Sequence, residues 1–474
     1  MTPVVVDGLH MTTHTNVLII GAGPVGLVAA CELARRAVPV RIIDKLEAPT
    51  TESRAVLVHA RSLEALARVG VAEEIVAASR HTTAMEIHAD GGTLTRVPLD
   101  TVRSPYPFSA SLGQDETERI LTARLVALGV TIERGRELVS LEQDDEGVRA
   151  ILRDGETIEA RWLIGCDGAH STVRHLLGMR LEGSFVGERF VLGDVEADHD
   201  LDRSAMHTFF SRDSGPLIAF PMAGDRLRLI GEADDHTTAS LDALQALVDR
   251  FGLAMRLKSS HWLTTFEIHH GQVPRYRVGR AFLAGDAAHI HSPAGGHGMN
   301  TGIQDAFNLA WKLAVDNPSE ALLDSYHAER YPVAEHVIKF TTATTRAGTI
   351  EHPLARRLRN EAMGVAMGLA PIAHKIADEM EETSIGYRRS PIVAGRHFGR
   401  GPRPGDVAPA LSAPVNGHAV LEVGTTVADP DDAYGFGAYG GIAVVRPDGY
   451  IGLLAQTGDT RAVDAYFDLI GRNQ

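Results

Sequence analysis

The stretch NVLIIGAGPVGLVAACELARR, residues 16–36, changes character twice. Val17–Ile20 form a continuous apolar run of the kind that fills a buried parallel strand. Gly21-Ala22-Gly23-Pro24-Val25-Gly26 then punctuates the chain, and an alanine-rich segment with helical character follows. The next apolar run, PVRIIDK, is a second strand ending at Asp44, with Lys45 behind it, so the block reads as a βαβ unit. Each glycine has a physical reason in such a unit. Gly21 permits the tight turn, Gly23 lets a pyrophosphate approach the backbone, and Gly26 lets helix and strand pack closely. Pro24 suits the first helical turn, whose free amides stabilise phosphate charge. Asp44 has the spacing of an acid that binds a ribose hydroxyl. A glycine turn without a ligand is the bland alternative; the complete strand–turn–helix–strand–acid context outweighs it. The turn alone does not separate NAD from FAD.

Working outward, 474 residues exceed one ordinary core and imply two or three domains. A hydrophobic content of 44% fits a globular chain, and no apolar run reaches the length of a membrane span. The net charge of −15 argues against nucleic acid or an anionic membrane as partner. Cys31 and Cys166 are the only cysteines, which supports neither a disulfide framework nor a zinc site and fits a reducing, cytoplasmic compartment. Residues 1–10 lack the pattern of a signal peptide and read as a loose tail or a mis-assigned start.

Two further motifs repeat the strand–turn–helix logic. In CDGAHSTVR, residues 166–174, Asp167 ends a strand, Ser171 is a good N-cap, and Arg174 lies one turn into a helix. Alone, it reads equally well as a turn aspartate with a surface arginine. In RAFLAGDAAHIHSPAGGHGMN, residues 280–300, Asp286 ends a strand, and a nearly bare loop delivers the chain to a helix starting near Met299. The amides of Gly298, Met299 and Asn300 would form an anion site. A reduced flavin, negative at its pyrimidine end, is a suitable occupant, with Asp286 accepting a hydrogen bond from its ribitol. Side chains in that loop would collide with a flat ring. The alternative, a flexible surface loop, leaves the scarcity of solvating side chains unexplained. His289 and His291 form an H-x-H pair without further ligands, so no metal is expected.

These three motifs, in this order, resemble the FAD-dependent aromatic hydroxylases, the group A flavoprotein monooxygenases with the p-hydroxybenzoate hydroxylase fold. The resemblance covers residues 15–390 and extends toward the branch acting on phenols, aromatic polyketides and rifamycins. It implies an α/β chain: a Rossmann-like FAD-binding domain with a helical extension (15–81, 112–184 and 271–390), an inserted β-sheet substrate domain of α+β type (82–111 and 185–270), and a short thioredoxin-like C-terminal region (391–474) lacking C-x-x-C. It places Arg54 and Gln114 against FAD, together with Gly21, Gly23, Pro24, Gly26, Asp44, Lys45, Asp167, Arg174, Asp286, Pro293, Gly298, Met299 and Asn300. It implies hydroxylation of a phenolic or polyketide-like ring with NADPH or NADH and O2, through a flavin C4a-hydroperoxide. No protein nucleophile is required; Pro293 and His297 are the candidate catalytic residues. Many relatives carry glutamine and others lysine where His297 stands; a histidine there would make flavin tuning pH-dependent.

The substrate side is strand-rich and, over 185–270, has no tyrosine. Alternate residues of GPLIAFPM and RLRLIGEA should face the ring site, with Phe209, Phe220 and Pro221 as candidate contacts. A large apolar aromatic substrate fits better than a small charged acid. Trp162, Trp262 and Trp311 are far apart, unlike the paired tryptophans of flavin halogenases. An epoxidase or Baeyer–Villiger oxygenase of the same fold stays open, as does, from another class, a non-catalytic FAD-binding protein. A monomer or homodimer is expected. Residues 55–79 are expected to be helical, and the C-terminal region to hold one hairpin turning at Pro447-Asp448-Gly449.

Overall fold

The computed structural model describes residues 12–50, 53, 55–89, 91–210, 215–234, 236–292, 294–348, 369–397, 401–409, 417–423 and 440–471. Its first sheet grows around the strand Thr12–Ile20, whose Val17, Leu18 and Ile19 are fully buried. That strand pairs in parallel with Val40–Asp44 on one side and Thr157–Gly165 on the other. Thr157–Gly165 pairs in parallel with Ala281–Leu283 in turn. Parallel pairing places the carboxyl ends of all four strands at one edge of the sheet. Gly21, Asp44, Asp167 and Asp286 therefore gather there, although they are distant in sequence. The helices Pro24–Ala34 and His297–Leu313 pack against each other over this sheet.

The second sheet has eight strands in the order His289–Ile290, Arg256–Gln272, Glu182–Asp198, Arg226–Glu232, Leu217–Pro221, Ala205–Phe210, Ala84–Ala89 and Gly92–Pro98. Both faces are covered. One carries Leu217, Ala219, Leu227 and Leu229 against Leu244, Leu247 and Val248 of the helix Leu241–Arg250. The other carries Phe190, Leu192, Met206, Ile218, Phe220 and Ile230 against Ala373, Ala377 and Met380 of the helix Ala370–Met380.

The stretch 55–79 departs from the expected helix. It holds a short strand, Leu57–Val58, then the helices Ala60–Val69 and Ala72–Ala78. Gly70 ends the first helix in the left-handed conformation, φ +88, which breaks the run. In the C-terminal region, Gly441–Val445 and Ile451–Ala455 form the expected hairpin, with Gly449 at φ +83. Ala394–Gly395 and Ala419–Val423 complete a four-stranded sheet, and the helix Thr460–Ile470 follows.

A buried ionic cluster joins this region to the first domain. Glu329, on the long helix Glu320–Gly348, accepts from Lys312 Nζ at 2.7 Å, Asn308 Nδ2 at 2.7 Å and Ser390 Oγ at 2.6 Å. Arg446 reaches the same carboxylate with two nitrogens at 2.6 and 2.9 Å and also pairs with Asp448. Lys312, Glu329 and Arg446 are all fully buried, so the attraction among them has to offset a large loss of hydration.

Candidate active site

The first turn has the geometry its glycines suggest. Gly21 sits at φ +103, and a β-carbon there would run into the Cys166 carbonyl. One on Gly26 would strike the Gly21 carbonyl. Gly23 differs: nothing lies within 4 Å of where its β-carbon would point. Two glycines thus serve close packing, and the third leaves open space in front of the turn. Pro24 opens the following helix. Beside the turn lies a cavity of about 210 Å³, lined by Gly21, Gly23, Asp44, Lys45, Gln114 and Asp167 among others.

Asp44 stands at this cavity with one oxygen on the Ala22 amide at 2.7 Å and the other on the Leu46 amide at 2.8 Å. Gln114 opens the helix Gln114–Ala127; its side chain donates to Glu118 at 2.9 Å and accepts from the Ala55 amide at 3.3 Å. Burial pushes the Glu118 carboxyl up to about 6, and it also lines the cavity. Arg54 and Pro293 lie outside the described residues.

Asp167 and Arg174 stitch two motifs together. Asp167 accepts from Ser171 Oγ and from the Val173 amide, and Ser171 caps the short helix Thr172–Leu176. The buried Arg174 donates to the Ala169 carbonyl at 2.6 Å and to the Ala287 carbonyl at 3.2 Å. It thereby holds the turn after Asp167 against the turn containing Asp286, whose side chain is exposed at the same edge.

The bare loop ends in two left-handed glycines, Gly295 at φ +81 and Gly296 at φ +72. The helix begins at His297, two residues earlier than expected, because Gly296 provides the turn into it. No side chain caps this 17-residue helix, so its first amides keep their partial positive charge. A β-carbon on Gly298 would meet only His291, at 3.8 Å. Asn300 clamps the loop: it accepts from the His59 amide and donates to the Leu57 and Gly296 carbonyls, all at 2.8–2.9 Å. Met299 is buried beside it.

A buried chain of polar groups lies beneath the loop, formed by residues the sequence did not single out. His59 Nε2 is 2.9 Å from the Gly295 carbonyl, so this nitrogen carries a proton and donates it. His59 Nδ1 is 2.8 Å from Ser109 Oγ, which is 2.6 Å from Glu381 Oε1; the other Glu381 oxygen accepts from the Ala60 amide at 2.7 Å. Ser109 has one proton and cannot supply both a neutral His59 and an ionised Glu381. The chain is satisfied only with one further proton. Burial drives His59 well below its ordinary value and raises Glu381 to about 7, which puts that proton on the carboxyl. His297, packed beside His59, meets Glu382 Oε1 through Nδ1 at 3.0 Å.

On the second sheet, the sequence candidates separate. Phe220 lies in the apolar face shared with Phe190 and Met380. Phe209 does not join it: it packs on the opposite face in the cluster with Leu244 and stacks on His88 at 4.5 Å. Pro221, next to Phe220 in the strand, alternates to that opposite side as well. The face bearing Phe220 holds a fully buried guanidinium instead. Arg228 grips Asp194 with two nitrogens, at 2.6 and 2.8 Å, and reaches Ser53 Oγ at 3.0 Å. A charged residue inside the alternating RLRLIGEA strand was the signal available for it.

With this geometry in place, comparison with known proteins gives a consistent answer. Residues 14–341 match the family described as FAD binding domain, and residues 428–474 match the phenol hydroxylase C-terminal dimerisation domain. The chain belongs to the FAD-dependent aromatic monooxygenases. It is 35% identical to 6-methylpretetramide 4-monooxygenase of Streptomyces rimosus, across 95% of this chain and 92% of that protein. It is 40% identical to rifampicin monooxygenase of Streptomyces venezuelae, across 69% of this chain and 70% of that one. The structure of anhydrotetracycline hydroxylase from Streptomyces rimosus superposes with a TM-score of 0.78 at 29% identity, covering 98% of this chain and 100% of the other. FAD is its cofactor, and NAD(P)H is the co-substrate of the family.

The residues present fit FAD. The turn before the first helix has open space at Gly23, the last loop delivers an uncapped helix start, and the Asp286 carboxylate is exposed between them. Among the described residues, no helix is long and apolar enough to cross a membrane.

Proposed function

We propose that this monooxygenase hydroxylates a large, apolar phenolic or polyketide-like ring held between the Gly295–Met299 loop and the sheet face bearing Phe190, Ile218 and Phe220. The uncapped helix start at His297, beside the exposed Asp286 and preceded by two left-handed glycines, carries the reading. When bound, FAD supplies the electron transfer from NAD(P)H and the activation of O2. The chain's own work is placement, charge and exclusion of water.

Asp44 would take the adenosine ribose, and Lys45 and Gln114 would flank it. The amides around Gly23 and Pro24 would bind the pyrophosphate. Asp286 would accept from the ribitol, with Asp167 and Arg174 holding the two turns in register. The amides of Gly298, Met299 and Asn300 would favour negative charge on the pyrimidine edge of the ring. His297 would keep the loop in position through its contact with Glu382. The apolar face around Phe220 favours a polycyclic aromatic over a small acid, since a charged carboxylate there would lose its hydration. The relatives' names, which specify 6-methylpretetramide and rifampicin, support the same class. Residues 428–474 would pair two copies into a homodimer, and the two buried thiols suit the reducing cytoplasm.

The test is direct. The purified protein should show flavin absorbance, its NADPH oxidation should rise with a polycyclic phenol, and the product should be heavier by one oxygen. A yellow protein that oxidises NADPH at one rate with every phenol and polyketide offered would overturn the reading.

A further inference from the structure

The strand Ala84–Ala89 pairs in parallel with Ala205–Phe210, and the register sets His207 against Glu86 and Phe209 against His88. Met85 and Ile87 point toward the Phe220 face. Glu86 and His88 therefore alternate to the other side, away from the flavin, where Phe209 also lies. There, three ligand-type atoms converge. His88 Nε2 is 3.0 Å from His207 Nδ1, Glu86 Oε2 is 3.4 Å from His207 Nδ1, and Glu86 Oε2 is 3.6 Å from His88 Nε2. Ligand atoms about 2.1 Å from a tetrahedral zinc ion lie about 3.4 Å from one another. This triangle has that size. We propose that Glu86, His88 and His207 form a zinc-binding site on the outer face of the second sheet.

The surroundings support a ligand role for each group. His207 Nε2 is 2.8 Å from the Asp202 carbonyl, which can only accept, so the proton resides on Nε2 and the Nδ1 lone pair faces the other two residues. His88 Nδ1 is 3.3 Å from Thr93 Oγ1, which fixes the ring with Nε2 inward. Arg96 occupies the other Glu86 oxygen and turns Oε2 toward the imidazoles. Ligating imidazoles and carboxylates characteristically have such outer partners. His207 is buried while Glu86 and His88 are each 16% exposed, leaving the fourth position open to water.

The site would clip the strand Ala84–Ala89 to the strand Ala205–Phe210, which comes from a distant segment of the sequence. It is remote from the reaction, so its role is structural. The H-x-H pair singled out in the sequence serves otherwise: His289 Nε2 meets Asp305 at 2.6 Å.

The experiment uses the purified holoenzyme, stripped with EDTA and titrated with zinc against a chromophoric chelator, with melting followed in parallel. One tight zinc per chain and a rise in melting temperature are expected. Glu86→Gln and His88→Ala should each lose more than about 100-fold in affinity, and Thr93→Val about 10-fold. His261→Ala, an exposed histidine paired with Glu196, should change neither readout. NADPH oxidation should survive EDTA. Equal zinc affinity and equal melting shifts in wild type, Glu86→Gln and His88→Ala would overturn the site. Loss of turnover on EDTA treatment would overturn its structural role.

Discussion

Replacing Glu381 with glutamine removes one titrating proton from the chain beneath the Gly295–Gly296 loop while keeping its shape. The glutamine oxygen can accept from Ala60, and its NH2 can donate to Ser109, as the protonated carboxyl does. In the wild type, the folded carboxyl titrates at about 7 against an ordinary value of 4.5. The native state thus holds a proton that the unfolded chain has lost throughout that interval. Such a group stabilises the fold fully below pH 4.5, progressively less as pH rises, and not at all above about 7. At about 1.4 kcal/mol per pH unit, the interval is worth about 3 kcal/mol, most of it falling between pH 5 and pH 8. Urea unfolding of both proteins at saturating FAD, at steps from pH 5 to pH 8, gives a difference curve in which other titrating groups cancel. That curve should tilt toward Glu381→Gln by about 2–3 kcal/mol on going to pH 8. A flat difference curve would refute the assignment of the proton to Glu381.

Two other perturbations test the site, and a third tests the buried ionic cluster. Asp286→Ala should purify largely without flavin colour, and full FAD occupancy would remove the ribitol role. Gly298→Val should melt near the wild-type temperature, because the space there is open, yet lose on the order of 100-fold in turnover through misplacement of the ring; unchanged turnover in a steady-state assay would sink the close-approach argument. Arg446→Met should cost about 3–5 kcal/mol in chemical unfolding, because the buried Asp448 loses its guanidinium and keeps only neutral donors, Asn308 and Trp311, while Glu329 is left with Lys312 as its cation; a loss below 1 kcal/mol would show the cluster to be energetically slight.

The parts of this molecule that local sequence encodes were legible in it. The glycines at 21, 23 and 26 and the strand ends at Asp44, Asp167 and Asp286 each depend on neighbours a few residues away. Contacts between distant segments were not legible: Ser109 meets Glu381 across 272 positions, and Arg228 meets Asp194 across 34. The two faces of the second sheet were hidden for another reason. Leu217 and Ala219 are as apolar as Ile218 and Phe220, since helices cover both sides, so alternation carries no polarity to say which set faces the ring. Phe209 and Phe220 therefore looked alike and lie on opposite faces. The early start of the helix at His297 depends on Gly296 adopting φ +72 close against Leu57, a neighbour distant in sequence.

The Glu329 cluster bears on how this architecture can be recombined. Its anion and one of its cations come from the helices of the flavin domain, and its second cation and second anion from the C-terminal hairpin. A chimera that grafts another tail onto residues 12–390 would bury Glu329 and Lys312 without Arg446 and Asp448. Tail exchange between such enzymes should therefore succeed only when the incoming hairpin carries a matching arginine–aspartate pair, making four side chains a compatibility code between body and tail.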